Sequence, residues 1–176
     1  MTDDVTGVPG TVRPAFAGVD HAALTVTDLA TSERFWVDVL GFTVVLDLGS
    51  GLLCIHKGTG FTLGLLRPDD ATGGAFDHRA TGLDHLGLAA RDRDELVAWQ
   101  QRLERHGVEH SPIQDEPLGH HLNFRGPDGL ALELYAPSPR YAAARAELRS
   151  RDVPDAELRA LAASRLGLGD LVADRP

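Results

Sequence analysis

The sequence predicts an α+β fold made of two βαβββ modules followed by a helical extension. Three observations lead there. Residues 20–26, DHAALTV, and residues 84–90, DHLGLAA, open alike, with Asp-His and then apolar residues at period 2, as a half-buried strand requires. Each is followed at the same offset by an Asp, Asp28 or Asp92, and then by a helical pattern. The stretches FTLGLLRP (61–68) and LALELYAP (130–137) then align down to their closing prolines.

Residues 1–18 form an N-terminal tail that begins acidic and lacks the apolar stretch of a signal peptide. The first module spans 19–68. After its opening strand, Phe35, Trp36, Val39 and Leu40 make the apolar face of a helix that Gly41 stops. Strand-like runs follow at 42–48, 51–57 and 61–67, with the Lys57-Gly58-Thr59-Gly60 turn before the last. Residues 69–82, rich in Asp, Gly and Thr, read as a linker. The second module spans 83–137. Asp92 and Glu95 have capping-box spacing, with Leu96, Trp99 and Leu103 on one helix face. Its strands are expected at 108–112, 120–125 and 130–136, the last two joined by Pro127-Asp128-Gly129. From 138 to 176 the composition shifts to Ala, Arg, Leu and Glu. That extension reads as two helices broken near Val153-Pro154, the second ending before Gly167, with Leu158, Leu161 and Leu166 as an apolar stripe for docking or dimer bridging.

Composition narrows the partners. The 176 residues suffice for one domain or two small repeats sharing a core. A net charge of −9, with both signs interspersed, gives no electrostatic footprint for nucleic acid. No run approaches the roughly 18 consecutive apolar residues of a membrane span. Cys54 is the single cysteine, which excludes an internal disulfide and a Cys-built zinc site and suits a reducing cytoplasm.

Strand parity separates the faces of each sheet. Leu130, Leu132 and Leu134 face the helices, leaving Ala131, Glu133 and Tyr135 on the other side. Leu24, Val26, Leu86 and Leu88 likewise put His21, Ala23, Thr25, His85, Gly87 and Ala89 on the open face. Leu122 and Phe124 put His121, Asn123 and Arg125 there too. Histidines, a glutamate and small residues make a poor core and a good cavity wall. His21, His85 and Glu133 form a 2-His-1-carboxylate set, which leaves coordination positions open on a divalent cation. The alternatives are ordinary half-buried strand histidines and a structural salt bridge between Glu133 and Arg125.

The segments DHAALTVTDLATSERFWVDVLGF (20–42), DHLGLAA (84–90) and FRGPDGLALELYAP (124–137) resemble the vicinal-oxygen-chelate superfamily. That superfamily includes glyoxalase I, bleomycin-resistance proteins, extradiol dioxygenases and fosfomycin-resistance enzymes. The resemblance covers about residues 19–137. It implies an open, U-shaped mixed sheet (a half-barrel) around a metal cavity. The ligands would come from the first and last strands of each module, here His21, Gly64, His85 and Glu133. Glycine offers no ligand, so Gly64 argues against glyoxalase I activity; His56 on the neighbouring strand is a candidate in its place or as a substrate contact. LNFRGPDGLALE (122–133) matches the extradiol signature in Pro127, Gly129 and Glu133 but carries Asn123 and Gly126 where that signature has Tyr and an acidic residue. The fosfomycin enzymes place a Thr where this chain has Ala23, and a basic cluster of which Arg125 is the one obvious cavity counterpart.

The leading expectation is a dioxygenase-like enzyme using one divalent metal, Fe(II) or Mn(II) before Zn(II) or Ni(II). Its small substrate would chelate that metal through adjacent oxygens. His121 or Tyr135 would shuttle a proton, and Asn123, Arg125 and His56 would contact substrate. Two rivals stay open. One is a non-redox lyase, isomerase or thiol transferase. The other is a metal-free protein that binds a drug or metabolite, with Trp36, Phe42, Trp99 and Phe124 as stacking surfaces. A homodimer is expected, and the modules pair either within one chain or across two.

Overall fold

Period-2 apolar runs punctuated by glycine turns produce the first sheet of the computed structural model, which describes residues 17–151 and 153–165. The rest, including most of the N-terminal tail and Leu166 and Gly167 of the extension, lies outside the described residues. Strand β1 (His21–Thr25) leads into α1 (Leu29–Arg34), which continues as a wider π-helical turn over Phe35–Val39. Asp28 caps α1 by accepting from the Thr31 N–H at 2.6 Å. The wider turn lets the consecutive Phe35 and Trp36 both be buried, and Gly41 (φ +79°) ends the helix in the left-handed region. Strands β2 (Thr43–Asp47), β3 (Gly51–Ile55) and β4 (Thr62–Leu66) complete a sheet of order β1-β4-β3-β2, with β1 parallel to β4.

The second module repeats the plan. It contains β5 (Leu86–Ala89), α2 (Arg93–Arg105), β6 (Gln114–Glu116), β7 (Gly119–Arg125) and β8 (Ala131–Pro137), in the order β5-β8-β7-β6. Asp92 accepts from the Glu95 N–H, while the Glu95 carboxylate reaches one residue further back, to the Arg91 N–H at 2.5 Å. The strand expected at 108–112 is the one departure. There the Ser111 N–H donates to the Asn123 carbonyl and the Arg125 N–H to the Glu109 carbonyl around an isolated His110–Phe124 bridge, and the register slips by one residue before Gln114 pairs with His121 in β6. Strand β6 is an exposed edge of Gln, Asp and Glu, which is why it shows no apolar alternation. Helices α3 (Pro139–Ser150) and α4 (Asp155–Arg165) form the extension, broken where the sequence places Val153-Pro154. No helix among the described residues is long and apolar enough to cross a membrane.

Both mixed sheets are open, and both bury their helix-side faces in one shared core. Trp36, Leu63, Leu65, Leu96, Leu103, Leu122 and Leu132 are each under 2 % exposed. Burying each such leucine contributes about 1.5–3 kcal/mol before entropy is counted. Three long-range contacts lock the modules together. Phe35 packs on Phe124 at 6.5 Å between ring centres. Arg102 on α2 donates to the Val39 and Asp38 carbonyls, satisfying orphan acceptors at the end of the first helix. Asp128 in the Pro127–Gly129 turn accepts from both the N–H (2.9 Å) and the hydroxyl of Thr27. It does so with φ +58°, the sole positive φ of a non-glycine among the described residues.

Because the helix-side faces meet in the middle, the two open faces point away from each other. No strand of one sheet is hydrogen-bonded to the other among the described residues. This back-to-back arrangement governs what the site can be.

Candidate metal centre

The parity of β8 is as its leucines require: Leu132 and Leu134 are buried, and Glu133 stands on the open face. In the ladder Glu133 lies between Gly87 on β5 and Asn123 on β7, and the next row runs Ala89, Tyr135, His121 and Gln114. His85 immediately precedes β5. The Glu133 carboxylate is only 13 % exposed; one oxygen accepts from His121 Nδ1 and the other lies 3.5 Å from His85 Nε2. Arg125 is not its partner, since that guanidinium donates to the Gly129 carbonyl at 3.4 Å. The buried carboxylate is therefore served by imidazoles rather than by a structural arginine pair. Gly87 keeps space beside it, because a Cβ there would sit 3.5 Å from the Glu133 oxygen.

The Asp-His repeat has a geometric meaning that the sequence signalled without specifying. His85 Nδ1 is hydrogen-bonded to Asp84 at 2.7 Å, and His21 Nδ1 to Asp20 at 2.8 Å. A carboxylate accepts only, so each Nδ1 carries the proton and each Nε2 is left as the lone-pair atom, that of His85 lying beside Glu133. That is the tautomer a metal-ligating imidazole needs. The hydrogen bond from His85 holds the Asp84 carboxyl below the usual carboxylate range.

His21 occupies in the first sheet the place of His85 in the second. Ala23 pairs with Gly64 as Gly87 pairs with Glu133, so Gly64 is the structural counterpart of Glu133. His21 is 61 % exposed and its recorded side-chain partner is Asp20. Among the described residues no three His, Cys, Asp or Glu side chains of one chain are arranged to hold a metal ion. His85 and Glu133 are thus brought together and His21 stands on the opposite, outward face.

The remaining expected site residues divide. Asn123 and Arg125 line a cleft of about 400 Å³ with His85 and Asp84. His121 and Tyr135 meet edge to face at 4.8 Å and line a second cavity of about 700 Å³ with Tyr141 and Arg145 of α3, two residues the sequence reading did not single out. Tyr135 donates its hydroxyl to the Leu118 carbonyl, and burial holds its pKa above the usual tyrosine value. His56 lies on the core side, its ring tilted against Phe42 at 5.4 Å between centres and its Nδ1 2.9 Å from the Thr59 hydroxyl, away from the His21 face. Trp36, Phe42 and Phe124 are buried core residues, and Trp99 packs against that core.

Comparison with known proteins agrees with this architecture. The sequence model of the Glyoxalase/Bleomycin resistance protein/Dioxygenase superfamily matches residues 18–134. The chain is 32% identical over 126 residues to the uncharacterized protein YaeR of Escherichia coli (strain K12), covering 66% of this chain and 94% of YaeR. It is 29% identical over 124 residues to catechol-2,3-dioxygenase of Bacillus subtilis (strain 168), covering 69% of this chain and 42% of that enzyme, so it spans less than half of that relative. Among solved structures, a glyoxylase/bleomycin resistance protein/dioxygenase domain from Frankia sp. EAN1pec superposes with a TM-score of 0.65 at 29% identity, covering 71% of this chain and 95% of that one. A mutant of the fosfomycin resistance protein FosX from Listeria monocytogenes, solved with Mn(II) and 1S,2S-dihydroxypropylphosphonic acid, superposes with a TM-score of 0.57 at 18% identity, over 75% of this chain and 99% of that one. At that identity FosX shares the fold alone. The chain belongs to the glyoxalase/bleomycin resistance protein/dioxygenase superfamily.

Proposed function

We propose that this chain is a metal-dependent, dioxygenase-like enzyme acting on a small substrate that chelates one divalent ion through adjacent oxygens. The observation that carries the reading is the pair of Asp-oriented imidazoles, His21 and His85, each presenting Nε2 on an open sheet face, with the nearly buried Glu133 beside His85. This donor set suits Fe(II) or Mn(II), with Zn(II) and Ni(II) as alternatives. Gly64 supplies no fourth ligand. Since the open faces of one chain diverge, His85 and Glu133 of one copy would be joined by His21 of a second copy in a two-fold homodimer with two equivalent sites.

Pairing the faces this way has a second merit. The open face of the first sheet carries Leu46, Leu53, Ile55 and Leu66, and Leu46 and Leu66 are 47 % and 40 % exposed. The face around Glu133 is polar. An apolar wall against a wall of ligands and hydrogen-bonding groups is the composition of a small-molecule site.

The ion, when bound, supplies a Lewis-acid centre with positions open to a chelating substrate. The chain's own groups do the rest. His121, with its Nδ1 proton donated to Glu133, keeps Nε2 free to take a proton from a substrate hydroxyl. Tyr135 remains protonated and positions the His121 ring. Asn123 and Arg125 flank His85 and orient the substrate's polar groups. Catechol-2,3-dioxygenase among the relatives favours oxygenation, whereas Lewis-acid isomerase, lyase or transferase chemistry would use the same residues.

Oxygen uptake separates the two. Protein reconstituted anaerobically with Fe(II) and offered a panel of catechols is expected to consume O2, with His121→Ala slower by about 10²–10⁴-fold. Absence of uptake by wild type across the panel, with metal bound, would reject the oxygenase reading. Full activity in His121→Ala would remove that residue from proton transfer.

A further inference from the structure

We propose that helix α3, which lies beyond the matched superfamily region, supplies an anion-recognising wall to this site, and that Arg145 selects a substrate bearing a carboxylate in addition to its metal-chelating oxygens. The proposal rests on the reading of Glu133 and His85 as metal ligands. Its argument begins at β8, where Tyr135 is two residues beyond Glu133 on the same face. The chain passes directly from β8 into α3. Ser138 caps that helix by accepting from the Tyr141 N–H, and its own N–H is held by the Leu118 carbonyl at 2.8 Å. This junction sets the first turn of α3 beside the sheet.

A continuous line of rings results. His121, bonded to Glu133, meets Tyr135 edge to face; Tyr135 meets Tyr141 edge to face at 6.3 Å; and the Arg145 guanidinium carbon stands 5.7 Å from the centre of the Tyr141 ring. These four side chains, with Leu118 and Glu116, line the cavity of about 700 Å³, a volume that accommodates a small aromatic molecule. Arg145 is half-buried and makes no ion pair among the described residues, Glu116 included. Glu147 and Glu157 each pair with Arg151. A half-buried, unpaired guanidinium stacked on a tyrosine is a planar bidentate donor set for a carboxylate. His121, which lines this cavity and is bonded to Glu133, is the side chain that joins it to the proposed metal ligands. The substrate class is therefore a small aromatic diol with a carboxylate on a short arm.

The test compares 3,4-dihydroxyphenylacetate with its uncharged near-isostere 4-methylcatechol, binding to Zn(II)-loaded protein by anaerobic calorimetry, where no turnover intervenes. Wild type is expected to prefer the anion by about tenfold or more. Arg145→Gln should abolish that preference with metal content unchanged, Arg145→Lys should keep part of it, and Arg149→Gln on the same helix should leave it intact. A preference that survives Arg145→Gln, or no preference in wild type, would overturn the proposal. If the wild type takes up no metal, 4-hydroxyphenylacetate serves as a metal-free probe. Binding that depends on Arg145 would then sustain the anion wall while the metal reading fails, and binding indifferent to Arg145 would reject the wall as well.

Discussion

Two variants that each fail to bind metal are expected to repair each other when combined. His21→Ala removes the proposed ligand on the open face of the first sheet, and Glu133→Ala the carboxylate on the open face of the second. The two sheets share one core and no three ligands meet among the described residues of one chain, so under the proposed two-fold arrangement each site would draw on both chains. In a heterodimer of the two variants, one site lacks both groups and the other lacks neither. A tagged, purified heterodimer should therefore hold about half the wild-type metal, and an unsorted equimolar mixture about a quarter, because roughly half of its dimers are mixed. The assay is metal analysis after co-refolding, with each variant alone as baseline. A wild type that binds metal beside a heterodimer that binds none would refute the reasoning. It would mean that the three ligands converge within one chain and that the back-to-back packing is not that of the working protein.

Three further outcomes follow from individual contacts. Asp84→Asn leaves every proposed ligand in place but replaces a charged, acceptor-only partner with an amide that can also donate, so the His85 tautomer is no longer fixed and metal affinity measured against a chelating dye should fall about 10–100-fold. Asp128→Ala removes both bonds to Thr27 and places a Cβ-bearing residue without side-chain support at φ +58°; chemical denaturation should show a loss of about 2–3 kcal/mol, with Asp128→Asn milder. Asp28 is held below the usual carboxylate range chiefly by the Thr31 N–H. A lowered folded pKa means that its contribution is complete above the unfolded value, about 4, and is lost as pH falls through the folded one. The melting-temperature gap between wild type and Asp28→Ala should accordingly be full at neutral pH and close as pH falls below the ordinary carboxylate range.

How far the sequence could be read depended on whether a feature was local. Alternation in LALELYA placed Glu133 opposite Leu132 and Leu134 because a strand's parity needs no tertiary information. The repeated Asp-His dipeptide marked two equivalent positions, and the ladders aligned Gly64 with Glu133 as the repeat implied. Strand β6 carries no apolar period because it is an exposed edge, and the one-residue slip between the His110 bridge and Gln114 leaves no mark in the local pattern. His56 shares the core side with Leu52 and Cys54, and its packing on Phe42 follows from a hairpin closure that spacing alone does not reveal. The contacts of Asp128 with Thr27 and of Arg102 with the first helix span 101 and 63–64 residues, so the back-to-back packing they hold was beyond any local pattern. The line from His121 to Arg145 was hidden for the same reason. It joins β7, β8 and α3, and the Ala-rich sequence of α3 reads only as a helix.

The metal content of anaerobically purified protein, wild type beside Glu133→Ala, tests the central claim most directly. The account predicts about one divalent ion per chain in the wild type and almost none in the variant, with iron directing the substrate search toward oxygenation. Equal content in both, or none in the wild type after reconstitution with Fe(II), Mn(II), Zn(II) and Ni(II), would contradict it. The chain would then be a ligand-binding protein that retains the fold of its enzyme relatives.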